Sequence, residues 1–309
     1  MNPFIRAIPA PLVRFFARPY VAGDSLKEAI AVAGDNLEKR SLLTSLDLLA
    51  EGIDNDAIVR ANLETYLEMV DAVADDPRFQ DPAIRPTLSL KQSSYTTEPL
   101  EEGGNGAGAR EAIFAIAERA SEKGVELTVD MESSEWTDFT LETMRELHAR
   151  GYTEVGTVIQ TRLHRSEADL DALPPRCRTR LVIGIYQEPS ERAVTDKTEM
   201  KDRLLSFGKT LLERGHYVEL ATHDETYVRR FVDEVVPEVG ATPDQYEIQM
   251  LYGVPRDGVQ KSLLERGIRV RLYVPFAIGW GMAIAYLRRR LDEYPAMMFV
   301  VAKNILRLG

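Results

Sequence analysis

The feature that most constrains the fold is an alternation. Short apolar runs with strand character recur at 41–47, 87–91, 126–131, 155–160, 180–186, 217–222, 247–252 and 269–274, which makes eight of them. Between them lie amphipathic stretches with helical spacing, at 55–74, 110–123, 137–150, 166–173, 197–214, 224–239 and 257–266. Gly124, Gly151, Gly215 and Gly267 each follow such a stretch by one residue, where glycine relieves the left-handed conformation that ends a helix. Strands joined through helices run parallel, because each crossover returns the chain to the end of the sheet at which the previous strand began. Eight such units predict an α/β chain folded as a (β/α)8 TIM-like barrel, with a doubly wound open sheet as the other arrangement of the same units.

Ahead of the first strand, Ser25 and Glu28 form a capping box before the helical face Leu26, Ile30, Ala33 and Leu37. The expectation is one domain over 1–309, with 1–40 as an N-terminal helical extension. The 309 residues are 44% hydrophobic, enough for a sizeable core, and no Pro/Ser-rich linker divides them. Gly103-Gly104-Asn105-Gly106-Ala107-Gly108 follows an acidic loop rather than a buried strand, so it reads as a flexible loop and not as a phosphate cradle.

Polar residues gather at the strand ends. Lys91 ends strand 2, Asp130 lies near the end of strand 3, Gln160 ends strand 4, Thr222-His223-Asp224 ends strand 6 and Tyr273 is near the end of strand 8. In a barrel these ends share one mouth, where such enzymes keep their chemistry. Any one of them alone is equally a cap or a satisfied core group. Arg180, read as the start of strand 5, is costly to bury unless it reaches solvent or an anion.

The formal net charge of −11 argues against a nucleic-acid partner. Cys177 is the single cysteine, which leaves no intrachain disulfide or thiolate zinc site and fits a reducing compartment. The histidines, His148, His164, His216 and His223, are scattered without metal-ligand spacing, so no metal site is expected. Pro3, Pro9 and Pro11 interrupt the apolar-basic N-terminus, which makes a poor signal peptide, and nowhere do 18 apolar residues run together. The expected location is cytoplasmic, with the N-terminus compatible with docking on the inner face of a membrane.

Near the C-terminus stands Tyr286-Leu287-Arg288-Arg289-Arg290-Leu291-Asp292-Glu293. On a helix Tyr286 sits over Arg289 and Arg290, so one face carries a ring and two planar guanidinium forks. That face is either solvated or a clamp for a carboxylate.

These residues carry a resemblance to the flavin-dependent proline dehydrogenases, from about Tyr20 to the C-terminus. Tyr286, Arg289, Arg290, Leu291 and Glu293 match that family's Tyr-x-x-Arg-Arg-Leu-x-Glu helix, which lies over the barrel mouth. Ser89-Leu90-Lys91 is similar to the strand carrying the substrate lysine, and Val129-Asp130-Met131-Glu132 to the one carrying the active-site aspartate. Val158-Ile159-Gln160, Arg180-Leu181-Val182 with Gly184, and Ala221-Thr222-His223-Asp224 resemble flavin-binding segments. Gln249-Met250-Leu251-Tyr252-Gly253 and Tyr273-Val274-Pro275 complete the series. Asp47-Leu48-Leu49-Ala50-Glu51 resembles an early segment whose glutamate pairs with the first clamp arginine.

The resemblance implies FAD as cofactor, held by Met131, Gln160, Val182, Ile183, Gly184, Thr222 and His223, with Arg180 beside the reacting flavin atoms. It implies L-proline as substrate, bound by Lys91, Tyr273, Tyr286, Arg289 and Arg290 with Glu51 at the gate, and a quinone-type electron acceptor. Asp130 would supply polarity near the amine. Ile183 stands where the family usually has lysine, Gln92-Ser93 replaces a more apolar pair, and 276–285 is less polar than in short members. Those departures keep open another cyclic or N-alkyl amino acid as substrate, or a non-catalytic flavin-binding relative. Oligomeric state is not legible.

Overall fold

The computed structural model describes residues 19–50 and 53–281, together with Pro9, Val13, Ala283, Ile284 and Arg288. Eight parallel strands close into a barrel in sequence order, with β1 paired to both β2 and β8. The strands are β1 (Leu43–Leu48), β2 (Thr87–Leu90), β3 (Leu127–Val129), β4 (Val155–Gln160), β5 (Arg178–Val182), β6 (Tyr217–Ala221), β7 (Tyr246–Leu251) and β8 (Arg269–Phe276). The alternation supplies the parallel strands, and pairing of β8 with β1 closes them into a barrel with no open edge.

The helices form where local sequence directs them. In α1 (Leu26–Arg40) the Ser25 side chain accepts from the Glu28 amide at 3.3 Å, while the Glu28 carboxylate accepts from the Asp24 amide at 2.8 Å, so the capping box forms. Asn55 caps α2 (Asp56–Asp75) by accepting from two amides, and Gly124 closes α3 (Ala109–Lys123) at φ +65°. The ring continues with α4 (Thr137–Ala149), the short α5 (Ser166–Asp171) and α6 (Lys197–Glu213). The stretch expected as one helix over 224–239 is interrupted. It starts as α7 (Glu225–Arg230), passes through a π turn at Phe231–Val235 and ends as α8 (Val236–Val239) before α9 (Asp257–Glu265). Apolar faces of these helices and the outward-facing strand residues, among them Leu88, Ile113, Val129, Leu181, Leu204 and Ile248, make one continuous core.

Two boundaries differ in a way that matters. Strand 5 was expected over 180–186 but runs Arg178–Val182, so Arg180 lies in mid-strand rather than at its start. The apolar run through Ile185 concealed the stop at Gly184, whose φ of +98° takes the chain out of the extended conformation. Strand 8 extends past its expected end to Phe276, where its backbone pairs with β1 through Leu48.

Across the mouth side of β1 and β8 a second, smaller apolar cluster forms from Val13, Val21, Leu49, Ala277 and Ala283, with Trp280 and Ile284 packed against it. The segment before α1 is stitched to the end of β8 by Ala22 N–H to the Pro275 carbonyl at 2.8 Å. Glu51, Tyr286, Arg289 and Arg290 lie outside the described residues.

Candidate active site

A strand sends alternate side chains to opposite faces, so in a closed barrel every second residue points inward. Here those inward positions are polar on most strands: Ser45 and Asp47, Thr87 and Ser89, Arg178 and Arg180, Glu219, Glu247 and Gln249, Arg271 and Tyr273. Glu219 is 1% exposed and Glu247 is fully buried, so each requires a cation within reach. Arg178 donates to Glu219 at 2.6 Å, and Arg271 donates to both oxygens of Glu247 at 2.6 and 3.1 Å. An ionic layer therefore fills the barrel's lower interior.

Arg180 links that layer to the mouth. Its Nε donates to Gln249 Oε1 at 2.6 Å and lies 3.4 Å from Glu219 Oε2, while Gln249 Nε2 donates to Glu247 at 2.7 Å. Its Nη1 donates to Asp130 Oδ1 at 2.8 Å and to Ser89 Oγ at 3.0 Å, and its guanidinium lies 5.1 Å from the centre of the Tyr273 ring. Asp130 is held from the other side as well, accepting from Ser89 Oγ and from the Tyr273 hydroxyl, both at 2.7 Å. Lys91 completes the group, donating to Asp47 at 2.6 Å and to the Tyr273 hydroxyl at 3.2 Å, with Asp130 Oδ2 at 3.6 Å. Behind β2, Tyr66 of α2 donates to the Ser89 carbonyl at 2.5 Å and so braces that strand.

Electrostatics fixes the protonation states. Burial alone would raise Asp130, but Lys91, then Arg180, and the hydrogen bonds from Ser89 and Tyr273 outweigh it and hold the carboxyl below its usual range. Burial would lower Lys91, yet Asp47 and Asp130 together keep the ammonium above its ordinary value. For Asp47 burial dominates and pushes its pKa up against the pull of Lys91. Burial, reinforced by Asp130, drives the Tyr273 phenol well above its normal value, so it stays a donor. The mouth thus holds an ionised carboxylate, an ammonium and a guanidinium in fixed positions around one ring.

The expected site residues separate into three groups. Lys91, Asp130, Arg180 and Tyr273 converge in the cluster just described. Met131, Gln160, Val182, Ile183 and Gly184 adjoin it at the ends of β3, β4 and β5, where Gln160 Nε2 donates to the Glu132 carbonyl at 2.7 Å. Thr222 and His223 follow β6, and His223 Nε2 accepts from the Leu251 amide at 3.1 Å, which ties β6 to β7. Asp47, Ser89, Glu219 and Gln249 also belong to the site although no role was expected of them. The signal was present as polar residues at i and i+2 in otherwise apolar strands. Glu132 was missed too: it is 6% exposed and accepts from the Ser93 amide and hydroxyl at 2.9 and 2.6 Å.

The residues present fit a flavin. Gln160 is 2% exposed, yet its Oε1 is buried without a hydrogen-bond partner, an acceptor waiting for a donor. His223 Nδ1 is also buried and unpartnered. Because Nε2 accepts, Nδ1 carries the proton, a donor suited to a phosphate oxygen. Burial, with Arg256 nearby, pushes this histidine down to about 4, so the ring is neutral. At Gly184 any Cβ would come within 2.4 Å of Gln160 Oε1, so glycine lets the Gln160 side chain lie against this turn.

The fold and this mouth define a closed (β/α)8 barrel with charged and aromatic side chains converging at the C-terminal ends of its strands. The chain belongs to the proline dehydrogenase family, whose profile matches residues 31–301. It is 36% identical to a proline dehydrogenase of Deinococcus radiodurans over 298 residues, covering 94% of this chain and 90% of that one. It is 31% identical to proline dehydrogenase 1 of Bacillus subtilis, covering 95% and 92%. In three dimensions it is similar to proline utilization A (PutA) from Bdellovibrio bacteriovorus inactivated by N-propargylglycine. The TM-score is 0.80 at 23% identity, over 91% of this chain but only 33% of that much longer protein.

Proposed function

We propose that this protein oxidises L-proline to 1-pyrroline-5-carboxylate with FAD as the resident cofactor, the first step of proline breakdown to glutamate. Family membership along nearly the whole chain supports this reading. The single structural observation that carries it is the Lys91, Asp130, Arg180 and Tyr273 cluster, which presents fixed charges of both signs beside an aromatic wall.

Oxidation of the carbon next to the ring nitrogen removes a hydride from carbon, and the nitrogen must shed a proton so that its lone pair can assist. The flavin, when bound, supplies the acceptor for that hydride. Gln160, Gly184, Ile183, Val182, Met131, Thr222 and His223 would hold it. Asp130 already accepts from Ser89, Tyr273 and Arg180, and its neighbours favour its ionised form, so it is a weak base near neutral pH. Its role is to hold negative charge toward the substrate amine, with the proton leaving to water. Lys91 offers positive charge toward the substrate carboxylate, where Arg289 and Arg290 would form the rest of the clamp and Glu51 the gate. Tyr273 and Tyr286 would wall the ring. Holding the reacting carbon in one orientation lowers the barrier by removing freedom that would otherwise be lost at the transition state.

The chain as one barrel domain with 1–40 as an extension, delivery of electrons to a quinone-type acceptor and peripheral contact with a membrane belong to the same reading. Among the described residues no helix is long and apolar enough to cross a membrane.

Anaerobic titration of the purified protein with L-proline and a panel of other cyclic and N-alkyl amino acids tests the proposal. The expected result is a visible flavin spectrum bleached by L-proline. Flavin bands that respond only to another amino acid, or to none, would overturn the substrate assignment, and absence of flavin would overturn the reading altogether.

A further inference from the structure

The β4–α5 and β5–α6 loops are zipped together beyond the barrel rim. Thr161 and Arg162 donate their amides to the carbonyls of Val182 and Ile183 at 2.8 and 3.2 Å, and the Val194 amide returns to the Arg162 carbonyl at 2.8 Å. The backbone of Arg162 is therefore fixed from both sides. Its side chain runs beside Gly184, where a Cβ would meet Arg162 Cδ at 2.9 Å, and its Nη1 donates to the Tyr186 carbonyl. Its Nε–H is buried and has no partner.

The same glycine has the unpartnered Gln160 Oε1 on it, 2.4 Å from that absent Cβ. One backbone position is thus flanked by a buried acceptor and a buried donor, neither satisfied by protein. Leaving a buried polar group unpaired is costly, so two at one glycine point to a ligand edge that pairs with both. A ring edge with an N–H beside a carbonyl oxygen meets that requirement, and the pyrimidine end of a flavin has such an edge.

We propose that Arg162 is a further cofactor-binding residue, donating to a pyrimidine-ring carbonyl of the flavin while Gln160 accepts from the adjacent ring N–H. This rests on the flavin reading above. A guanidinium at that end favours the reduced, anionic ring over the oxidised one, because negative charge develops there on reduction. Arg162 also restores a cation to a rim where residue 183 is isoleucine.

The test uses the flavin-loaded protein and reads flavin dissociation on dilution and the midpoint potential of the bound flavin. Arg162→Met is expected to weaken retention at least about tenfold. Each tenfold loss that falls selectively on the reduced form lowers the two-electron potential by about 30 mV. Arg162→Lys should keep most of the potential, and Ile183→Lys placed in the Arg162→Met background should recover part of it. Lys39→Met removes an exposed charge from the last turn of α1, at the end of the barrel opposite the mouth, and should change neither reading. If Arg162→Met lowers thermal stability but leaves retention and potential as in the wild type, the arginine is structural and the proposal fails. That result, with flavin still bleached by L-proline, would leave the proposed function standing, whereas a wild type that holds no flavin would remove both.

Discussion

Arg180 in β5 and Asp130, one residue past the end of the non-adjacent β3, meet at 2.8 Å, where Arg180 is 4% and Asp130 8% exposed. The contact does two things. It keeps a carboxylate ionised at the mouth, and it joins the mouth to the Glu219, Glu247, Arg178 and Arg271 layer below through Gln249. A change at Arg180 is therefore felt both by the site and by the fold.

Arg180→Met tests that double role. It strips Asp130 and Glu219 of the one cation they share, and truncating one partner of a buried pair costs about 3–5 kcal/mol. The expected outcome is a lower unfolding midpoint together with weaker FAD retention or slower reduction by substrate. Chemical denaturation and stopped-flow reduction of the same preparation measure both. An unchanged flavin content and reduction rate would place the cofactor elsewhere.

Asp130 makes a signed prediction about acid. Its folded pKa lies below the ordinary 3.8, so its stabilising contribution is complete above that value and is lost as pH falls through the lower, folded-state pKa. The stability gap between wild type and Asp130→Asn should therefore be constant from about pH 5 upward and shrink below about pH 4. Urea unfolding across that range reads it. Asp47, whose pKa is raised by burial, contributes with the opposite sign and should be compared through Asp47→Asn.

His223 titrates in a different window. Its folded pKa is depressed from 6.5 to about 4, so the unfolded chain binds a proton that the native state refuses. Stability should fall as pH drops from about 6.5 toward 4, by up to about 1.4 kcal/mol per pH unit. His223→Asn should flatten that slope. NMR of the wild-type ring should show it uncharged at pH 5, and a ring that titrates near 6.5 would contradict its burial.

Arg289, Arg290 and Glu51 lie outside the described residues, and the clamp prediction rests on the family resemblance. Arg289→Met and Arg290→Met should each lower kcat/KM for L-proline by at least about tenfold, since a desolvated charge pair is worth about 2–5 kcal/mol on truncation and one decade is about 1.4. Arg288→Met should lower kcat/KM less than either, because the family motif leaves that position unspecified. Glu51→Ala should raise KM more than it moves the unfolding midpoint. Equal, small losses at all three arginines would mean a solvated face.

What the sequence determined by itself is whatever depends on local periodicity. The strand and helix alternation fixed the parallel class, and eight units favoured closure over an open doubly wound sheet. The ends of the strands named Lys91, Asp130, Gln160, His223 and Tyr273 as neighbours of one mouth. The i, i+2 spacing of Arg178 and Arg180, or Glu247 and Gln249, held the polar interior in plain view, since the pleat sends such pairs inward together. Tertiary structure alone decided who partners whom. Register around a closed barrel is a global property: Arg180 lies opposite Glu219 and Ser45 opposite Tyr273 only because all eight strands share one stagger. It also decided that strand 5 stops before Gly184, where the chain turns at φ +98° and Gln160 and Arg162 pack so closely that no Cβ would fit, a contact that no pattern along the chain encodes.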